Sequence, residues 1–422
     1  MKLFVNPDKI IGKIKPMNAV NNGPVYTENA DQNLTNLPYF KEANIPYART
    51  HDSSICYDYG GEHTVDIINI FTDFDADPYS PESYDFTLTD MYLDNIARSG
   101  ARVFYRLGNK IEHWPKHYGI MPPKDFKKWA VICEHIIRHM NEGWANGHHR
   151  GIVYWEIWNE PDFNNKCWTG TPEEFFDLFE ITAKHLKSCF PEIKIGGPAV
   201  CRYNADWLIP FFEEMKKRNV PMDFYSWHCY SSKVEDFIRD TRLHRALLDR
   251  YGYSESESIL NEWNYVCGWS GEGWKKSLAT ELSIKGAAFI AAVATACQHE
   301  KLDMLMYYDA RINSTMNGLF RRRNTDAATH MCNDKVRVVV IFFMFLAVFP
   351  CSCLNVEAME NACALYIGQT CYTRNVIPFV NNNGIGDKAR LSVFFTKFMG
   401  KDSAESGSMT ACTGQMVEIV KK

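Results

Sequence analysis

Two stretches of the chain place a glutamate directly after an apolar run and beside aromatic residues. Residues 155–162 read WEIWNEPD and contain Glu160, and residues 258–264 read SILNEWN and contain Glu262. Pro161 cannot donate a backbone hydrogen bond and disfavours helix at the residue before it, so the first run should stop as a strand at Glu160. Both glutamates are therefore expected where a buried strand gives way to a loop.

Two carboxylates on the ends of two strands are the minimum equipment for glycoside hydrolysis. One carboxylic acid protonates the leaving oxygen, and the other carboxylate attacks the sugar carbon or activates a water molecule. If both strands belong to one barrel, we expect the carboxyl groups to lie about 5–5.5 Å apart, the spacing of a retaining pair.

The elements that would position these residues alternate between strands and helices along most of the chain. Helices are predicted at residues 88–99, 126–140, 207–218, 234–250 and 278–297, with a further helix opened by a capping box at Thr171. The predicted strands are residues 10–20, 45–52, 103–108, the run that reaches Glu160, 193–198, 224–230, the run that reaches Glu262, and 304–311. Eight predicted strands in about 300 residues, most of them followed by a predicted helix but without a clear last one, and no Gly-rich phosphate loop, predict an α/β protein with a (β/α)8 TIM barrel.

In such a barrel the polar ends of the strands meet at one mouth, where ligands bind. This places a set of polar side chains together: Asn21, His51, Asn159, Glu160, His228, Tyr230, Glu262 and Asp309. Asn159 and the two histidines of this set could bind hydroxyl groups of a sugar. Each histidine alone would also fit a core position with both ring nitrogens satisfied.

Composition narrows the classes of partner and compartment. The 422-residue chain has a formal net charge of −5, with 46 basic and 51 acidic residues, so no basic surplus attracts nucleic acid or an anionic membrane. The 14 cysteines form no CxxC pair, and the first residues do not resemble a signal peptide. We therefore expect reduced thiols and a cytoplasmic protein. The glutamate pair makes an oligosaccharide or small glycoside the expected partner, and a homo-oligomer is left open.

Metal binding and cofactors are not expected. Residues 73–78 begin like a calcium loop, but Pro78 stands where that loop needs glycine. His135 and His139 lie four apart on a predicted helix, yet no glutamate follows the first as in HExxH, and no third ligand is evident. A solvated or core histidine pair is the favoured interpretation.

The glutamate strands and three shorter motifs resemble glycoside hydrolase family 39, the β-xylosidase and α-L-iduronidase family of clan A. The matching pieces are WEIWNEP at 155–161, SWHCY at 226–230, NEWN at 261–264, GKIKPMN at 12–18 and RTHD at 49–52. The resemblance covers roughly residues 3–320. It implies a retaining O-glycosyl hydrolase with Glu160 as general acid/base, Glu262 as nucleophile and Tyr230 as a hydrogen-bond donor to Glu262.

The resemblance implies an exo-glycosidase that removes terminal β-D-xylosyl residues from oligosaccharides. A glycosidase for another sugar is an alternative, because Arg311 or Lys110 could bind the carboxylate of a uronate. A carbohydrate-binding barrel that has lost activity is another. The substrate-binding residues expected overall are His51, Asn159, His228, Tyr230, Asp309 and Arg311.

The sequence after Phe320 departs from the family pattern. Residues 10–325 are assigned to the barrel, and residues 326–422 to a C-terminal region of uncertain fold, with a partial or aberrant β-sandwich as one form. Family 39 enzymes add a sandwich that includes an N-terminal strand, which residues 2–6 could supply. The apolar run 338–349 lacks a helical period, so we hypothesise that the tail is encoded in a shifted reading frame and packs poorly. The other two frames of the encoding DNA test this hypothesis.

Overall fold

A computed structural model describes residues 3–26, 35–51, 64–109, 117–163, 165–281, 283–311, 319–320 and 415–421. Its centre is a closed barrel of parallel strands in the order β2 to β9, with helices between successive strands. The strands are β1 Leu3–Lys13, β2 Ala19–Asn21, β3 Tyr47–Thr50, β4 Arg102–Leu107, β5 Tyr154–Ile157, β6 Lys194–Val200, β7 Phe224–Ser231, β8 Glu257–Tyr265, β9 Met304–Tyr307 and β10 Gln415–Lys421. The predicted (β/α)8 TIM barrel is confirmed.

The helices pack around the barrel with their apolar faces inward. They are α1 Leu37–Glu42, α2 Ile67–Ile70, α3 Thr87–Ser99, α4 Phe126–Asn141, α5 Pro172–Cys189, α6 Ala205–Lys217, α7 Val234–Tyr251, α8 Gly271–Glu281 and α9 Ile284–Gln298. On α4 the predicted apolar face is buried from Trp129 to Met140. Thr171 and Glu174 form the predicted capping box of α5, with Pro172 at its first turn.

Side chains from the early part of the strands fill the barrel interior. This cluster consists of Ala19, Tyr47, Phe104, Tyr154, Phe224, Ile259, Met304 and Met306. The rings of Phe104, Tyr154 and Phe224 lie with centroids 5.2–5.6 Å apart. Strand β6 contributes Gly196, where a Cβ atom would lie 2.0 Å from the Phe224 carbonyl oxygen. Since this end of the barrel is filled by packing, the polar side chains collect at the carboxyl ends of the strands.

Two predicted elements are each two elements in the structure, and the strand predicted at 304–311 ends at Tyr307 as β9. The strand predicted at 10–20 is two strands, because the chain turns at Lys15 and Pro16, where Met17 N donates to Lys15 O. The helix predicted at 278–297 is α8 and α9, and α8 begins at Gly271. At the break Gly286 lies so close to α8 that an added Cβ would be 2.6 Å from Thr280 O.

The two ends of the chain form a separate two-stranded sheet. Strand β1 pairs antiparallel with β10, with Leu3 opposite Lys421 and Lys13 opposite Gln415. Residues 321–414 lie outside the described residues, so the division into two domains and the poor packing of the tail stay predictions.

Among the described residues no single helix is long and apolar enough to cross a membrane. Two successive helices, α8 and Lys285–Gln298, are together long and apolar enough by length and composition alone, but they meet at an angle of 83°. The cysteines in the same residues are all free thiols.

Candidate active site

Glu160 is positioned by a strained turn after β5. Trp158 and Glu160 have positive φ angles of 69° and 48°, in the left-handed region that side chains other than glycine rarely adopt. The turn is held because Trp158 N donates to Leu107 O, and Glu160 N donates to Ala199 O, each at 2.8 Å. Strain of about 1–3 kcal/mol per residue persists only where the surroundings determine the backbone, and it is typical of functional sites.

Glu262 is positioned by an irregularity in β8. Trp227 of β7 is opposite Leu260, but the next residue, His228, is opposite Glu262, so Asn261 is an extra residue in β8. A bulge of this kind re-aims the neighbouring side chains. It is fixed from inside the barrel, where Asn21 Nδ2 donates to Asn261 O at 2.6 Å.

The two predicted carboxylates face each other across His228. His228 Nδ1 lies 2.7 Å from Glu160 Oε1 and 3.5 Å from Glu262 Oε2. One oxygen of each carboxylate and the histidine nitrogen all lie within 4.8 Å of one another. This separation suits a nucleophile and a general acid on the same sugar, and it leaves less room than an inverting pair needs for water.

Glu262 is surrounded by donors and positive charge. Its Oε1 accepts from Arg49 Nη1 at 2.8 Å and lies 3.0 Å from His51 Nε2, and its Oε2 accepts from Tyr230 OH at 2.9 Å. Burial raises the pKa of Glu262, but the charges of His228, His51 and Arg49 and the hydrogen bond from His51 outweigh burial and hold the pKa far below its ordinary value. The side chain therefore stays ionised, as a nucleophile requires.

His228 is adapted to the same pair of carboxylates. Burial lowers the pKa of His228, but the charge of Glu262 and the hydrogen bond and charge of Glu160 raise it above its ordinary value overall. With Nδ1 donating to Glu160, its Nε2 has no hydrogen-bond partner in the described part of the chain. The ring thus links the two carboxylates and leaves a second nitrogen for another contact.

Arg49 joins the site into one buried network that the sequence reading missed. Its guanidinium donates to Glu156 Oε2 at 2.7 Å, Asn21 Oδ1 at 3.0 Å and Asn159 Oδ1 at 2.7 Å, besides Glu262. Burial lowers the pKa of Arg49, but the charges and hydrogen bonds of Glu156 and Glu262 outweigh burial and raise the pKa above its ordinary value. Glu156 in turn accepts from Ser226 and Asn261. The sequence does contain a signal for this network, because Arg49 and Glu156 are charged residues inside two apolar strands and buried charges are normally paired.

Asn159 has one amide atom fixed and the other available. Its Oδ1 accepts from Arg49, which orients the amide so that Nδ2 is the outward donor. This Nδ2 has no partner among the residues that the structure describes. The arrangement fits the predicted donation to a sugar hydroxyl.

Asp309 and Arg311 are bonded to each other. Arg311 Nε and Nη2 lie 2.8 Å and 2.7 Å from Asp309 Oδ2, and Asn22 Nδ2 lies 3.3 Å from the same oxygen. Asn22 also accepts from the backbone N of His51 at 3.2 Å, which connects the pair to the site indirectly. Contact of either residue with substrate stays a prediction, and Lys110 lies outside the described residues.

A half-buried carboxyl that the sequence analysis did not predict, Asp162, lies two residues after Glu160. Asp162 accepts from Cys201 N at 2.9 Å and from Cys201 Sγ at 3.1 Å. Burial raises the pKa of Asp162 to about 6, although the hydrogen bonds from Cys201 lower it. Beside it, Cys167 Sγ lies 3.5 Å from Glu160 Oε2, so thiols rather than charged donors surround this side of the acid.

A parallel barrel with two carboxylates on the carboxyl ends of its fourth and seventh strands defines a class, the barrel glycoside hydrolases. The chain belongs to the glycosyl hydrolases family 39, whose model matches residues 2–264. It is 30% identical over 179 residues to a β-xylosidase of Geobacillus stearothermophilus, covering 40% of this chain and 35% of that relative. It is also 30% identical over 161 residues to a β-xylosidase of Caldicellulosiruptor saccharolyticus, covering 36% and 32%. The matched part thus spans about a third of the length of these curated relatives.

Solved structures share the fold. A glucosidase from Croceicoccus marinus superposes with a TM-score of 0.68 at 23% identity, covering 82% of this chain and 71% of that one. The family 39 enzyme from Xanthomonas axonopodis pv. citri gives a TM-score of 0.59 at 16% identity, covering 81% and 69%. At these identities the likeness supports the barrel and not a particular sugar.

Proposed function

We propose that the protein is a retaining exo-glycosidase that hydrolyses terminal β-D-xylosyl residues of oligosaccharides by double displacement. The observation that carries the proposal is the Glu160–Glu262 pair, with oxygens within 4.8 Å on two strands of one barrel. The relatives named β-xylosidase support the choice of sugar.

In the first step Glu262 attacks the anomeric carbon and Glu160 gives its proton to the glycosidic oxygen. The bond from carbon to the leaving oxygen breaks as the bond to a Glu262 oxygen forms, so the released alcohol carries the proton of Glu160. Arg49, His51 and Tyr230 hold the attacking carboxylate in place and ionised. The product is a covalent xylosyl ester of Glu262 with inverted configuration.

In the second step Glu160, now a carboxylate, takes a proton from water as the water oxygen attacks the same carbon. The ester bond breaks, Glu262 returns to its ionised form, and the released sugar has the original β configuration. Asn159 Nδ2 donates to the 2-hydroxyl during both steps, and this hydrogen bond strengthens as positive charge develops on the ring.

Two features of the site separate this proposal from the alternatives. Arg311, the basic residue suggested for a uronate, is already bonded to Asp309, which argues against an iduronidase. Both carboxylates and the donors to Glu262 are in place, which argues against a barrel that only binds carbohydrate.

A panel of chromogenic aryl glycosides tests the proposal directly. The full-length protein is assayed on β-D-xyloside, β-D-glucoside, α-L-arabinofuranoside and α-L-iduronide, with Glu262→Gln as the matched inactive control. We expect the highest kcat/KM on the β-D-xyloside. A preference for the iduronide would replace the proposed sugar, and a folded protein that hydrolyses none of the four would contradict the enzyme assignment.

The proposed compartment is the cytoplasm. Its support is that the 14 cysteines form no CxxC pair and that those in the described residues form no disulfide. Fractionation of the source cells, with the protein found outside the cytoplasmic fraction, would contradict this assignment.

A further inference from the structure

A second cluster of metal-ligating side chains lies away from the two carboxylates, where α3 and α4 meet. Asp90 belongs to α3, His139 to the last turn of α4, and His148 to the segment that follows α4. His139 Nε2 lies 3.3 Å and His148 Nε2 lies 3.1 Å from the same oxygen, Asp90 Oδ1. The three ligand atoms lie within 4.8 Å of one another.

The ring of His139 is held in the orientation of a metal ligand. Its Nδ1 lies 2.9 Å from Trp144 O, and since a carbonyl only accepts, Nδ1 carries a hydrogen and donates. The other ring nitrogen, Nε2, faces Asp90 and would supply its lone pair to a bound ion. Metal-binding histidines characteristically donate their other nitrogen to a carbonyl or carboxylate in this way. Phe86 stacks on the ring with centroids 3.6 Å apart and the planes 7° from parallel, which fixes its rotation.

The backbone brings His148 to the same point. His148 N donates to His139 O at 2.6 Å, and Gly143 N donates to His148 O at 3.0 Å. Gly147 permits this approach, because a Cβ there would lie 2.1 Å from His139 O. The site is therefore built by a turn that only glycine allows at this position.

We propose that Asp90, His139 and His148 bind a divalent transition-metal ion, with Zn²⁺ as the best fit to two imidazoles and a carboxylate. A tetrahedral ion with ligand bonds of about 2.0–2.1 Å has edges of roughly 3.3 Å, close to the separations between these nitrogen and oxygen atoms. Water completes the coordination, since His148 and Asp90 have side chains 35% and 23% exposed. The bound ion joins α3, α4 and the following segment.

Arg150 sets a limit on the affinity. Its Nη2 lies 3.5 Å from Asp90 Oδ1, so it brings a positive charge near the ion. The same guanidinium forms a shorter ion pair with another carboxylate, 2.7 Å from Nη1 to Asp94 Oδ1, which partly neutralises its charge. The ion is thus exchangeable and removable by a chelator.

A competing cluster of Glu134, His185 and Cys189 fits an ion less well. His185 Nε2 lies only 2.6 Å from Glu134 Oε2, well below the edge of roughly 3.3 Å in a tetrahedral Zn²⁺ site, and Arg138 donates to the other oxygen at 2.8 Å. Burial and the charge of Glu134 raise the pKa of the Cys189 thiol, which must lose its proton to bind. Its thiol gives a way to tell the two clusters apart.

Calorimetric titration of the chelator-treated, full-length protein with ZnCl₂ tests the proposal, with His148→Gln against His149→Gln. His149 is the exposed neighbour and serves as the matched control. We expect one Zn²⁺ per chain in the wild type and in His149→Gln, and affinity at least about tenfold weaker in His148→Gln. The Tm should rise with free Zn²⁺ in the first two proteins only.

Cys189→Ser and a cobalt spectrum complete the test. Cys189→Ser should bind Zn²⁺ like the wild type, and the Co²⁺ complex should lack a thiolate charge-transfer band. Loss of binding in Cys189→Ser, a thiolate band, or equal affinity in His148→Gln and wild type would overturn the proposal. If His148→Gln is unfolded by circular dichroism, Asp90→Asn takes its place, and wild-type affinity in that variant would likewise overturn the proposal.

Discussion

At the scale of single residues, the different surroundings of two glutamates support the roles proposed for them. Glu262 receives hydrogen bonds or close contacts from Arg49, His51 and Tyr230, which stabilise its charged form. Glu160 has no arginine or lysine partner among the described residues and faces His228 and the Cys167 thiol. The residue with concentrated positive charge suits the nucleophile, and the other suits an acid that changes protonation state within each cycle.

Substituting each carboxylate should separate the two chemical steps. Glu262→Ala should abolish turnover even of aryl glycosides with good leaving groups, by at least about 10³-fold, because no covalent bond can form. Glu160→Ala should still release the activated phenol in a rapid burst, since such a leaving group needs no proton, and then stall at the second step. Stopped-flow measurement of phenol release checks both.

An added small nucleophile provides the control, and the configuration of its product distinguishes the two variants. Azide needs no general base, so it should accelerate turnover by Glu160→Ala and give the β-xylosyl azide. In Glu262→Ala, azide that takes the place of the missing carboxylate should give the α-xylosyl azide instead. Equal loss of the first step in both variants, whatever the leaving group, would be incompatible with the assigned roles.

The sequence located polar residues towards the carboxyl ends of the predicted strands but not the charged pair that lies earlier in them. Glu160, Glu262, Asn159, His51, His228 and Tyr230 were predictable from this position, and the structure brings them together, although β7 and β8 continue past His228 and Glu262. Arg49 and Glu156 lie within strands and contact each other across the barrel, a pairing that depends on closure and not on local sequence. The mutual pairing of Asp309 and Arg311 was missed because the side chains are only two residues apart and the turn between them decides their direction.

Asp162 gives a pH-dependent prediction for stability. Burial raises its folded-state pKa to about 6, above the ordinary value of about 3.9, so the fold favours the protonated carboxyl. The stability it contributes is complete below about pH 3.9 and is lost as the pH rises through about 6. Asp162→Asn should therefore be more stable than wild type by about 1–2 kcal/mol at pH 7.5, and by less at pH 5.

Urea unfolding of both proteins at the two pH values measures this difference. Glu255→Gln, at an exposed site, serves as control and should show no such pH dependence. A difference between Asp162→Asn and wild type that stays constant from pH 5 to pH 7.5 would refute the raised pKa.

At the scale of secondary-structure elements, the sequence predicts a helix start well where the hydrogen bonds at that start join residues close together in the chain. The capping box at Thr171 was readable because its hydrogen bonds join residues three apart. The break between α8 and α9 was not, because the apolar residues continue through it and the bend arises from close packing at Gly286. The separation of β1 from β2 likewise depends on β10, more than 390 residues further along the chain.

The capping box yields a prediction for α5. Thr171→Ala removes the hydroxyl that accepts from Glu174 N, and should lower the free energy of unfolding by about 1 kcal/mol. Urea unfolding checks this, with Thr171→Ser as the control that keeps the hydroxyl and should stay within about 0.5 kcal/mol of wild type. Equal losses in both variants would show that the threonine methyl and not the cap stabilises the helix.

At the scale of the whole molecule, closure of the barrel creates the site. Strands β3, β5, β7 and β8 are separated along the chain by at least 25 residues, yet their ends supply Arg49, Glu160, His228 and Glu262 to one cluster. The bulge in β8 and the strained turn after β5 then direct the two carboxylates at each other. The barrel was predictable from eight repeated units, whereas the tail lacks a pattern that local physics could extend.

The most direct measurement of the central claim is mass spectrometry of the protein treated with an activated 2-deoxy-2-fluoro-β-D-xyloside. The fluorine destabilises the positively charged transition states of both steps, and the good leaving group keeps the first step fast enough for the ester to accumulate. We predict that the mass increases by one fluoroxylosyl group and that the label lies on Glu262 in the peptide covering residues 258–264. A label on another carboxylate, or hydrolysis of the normal xyloside with release of the α-anomer, would contradict the account.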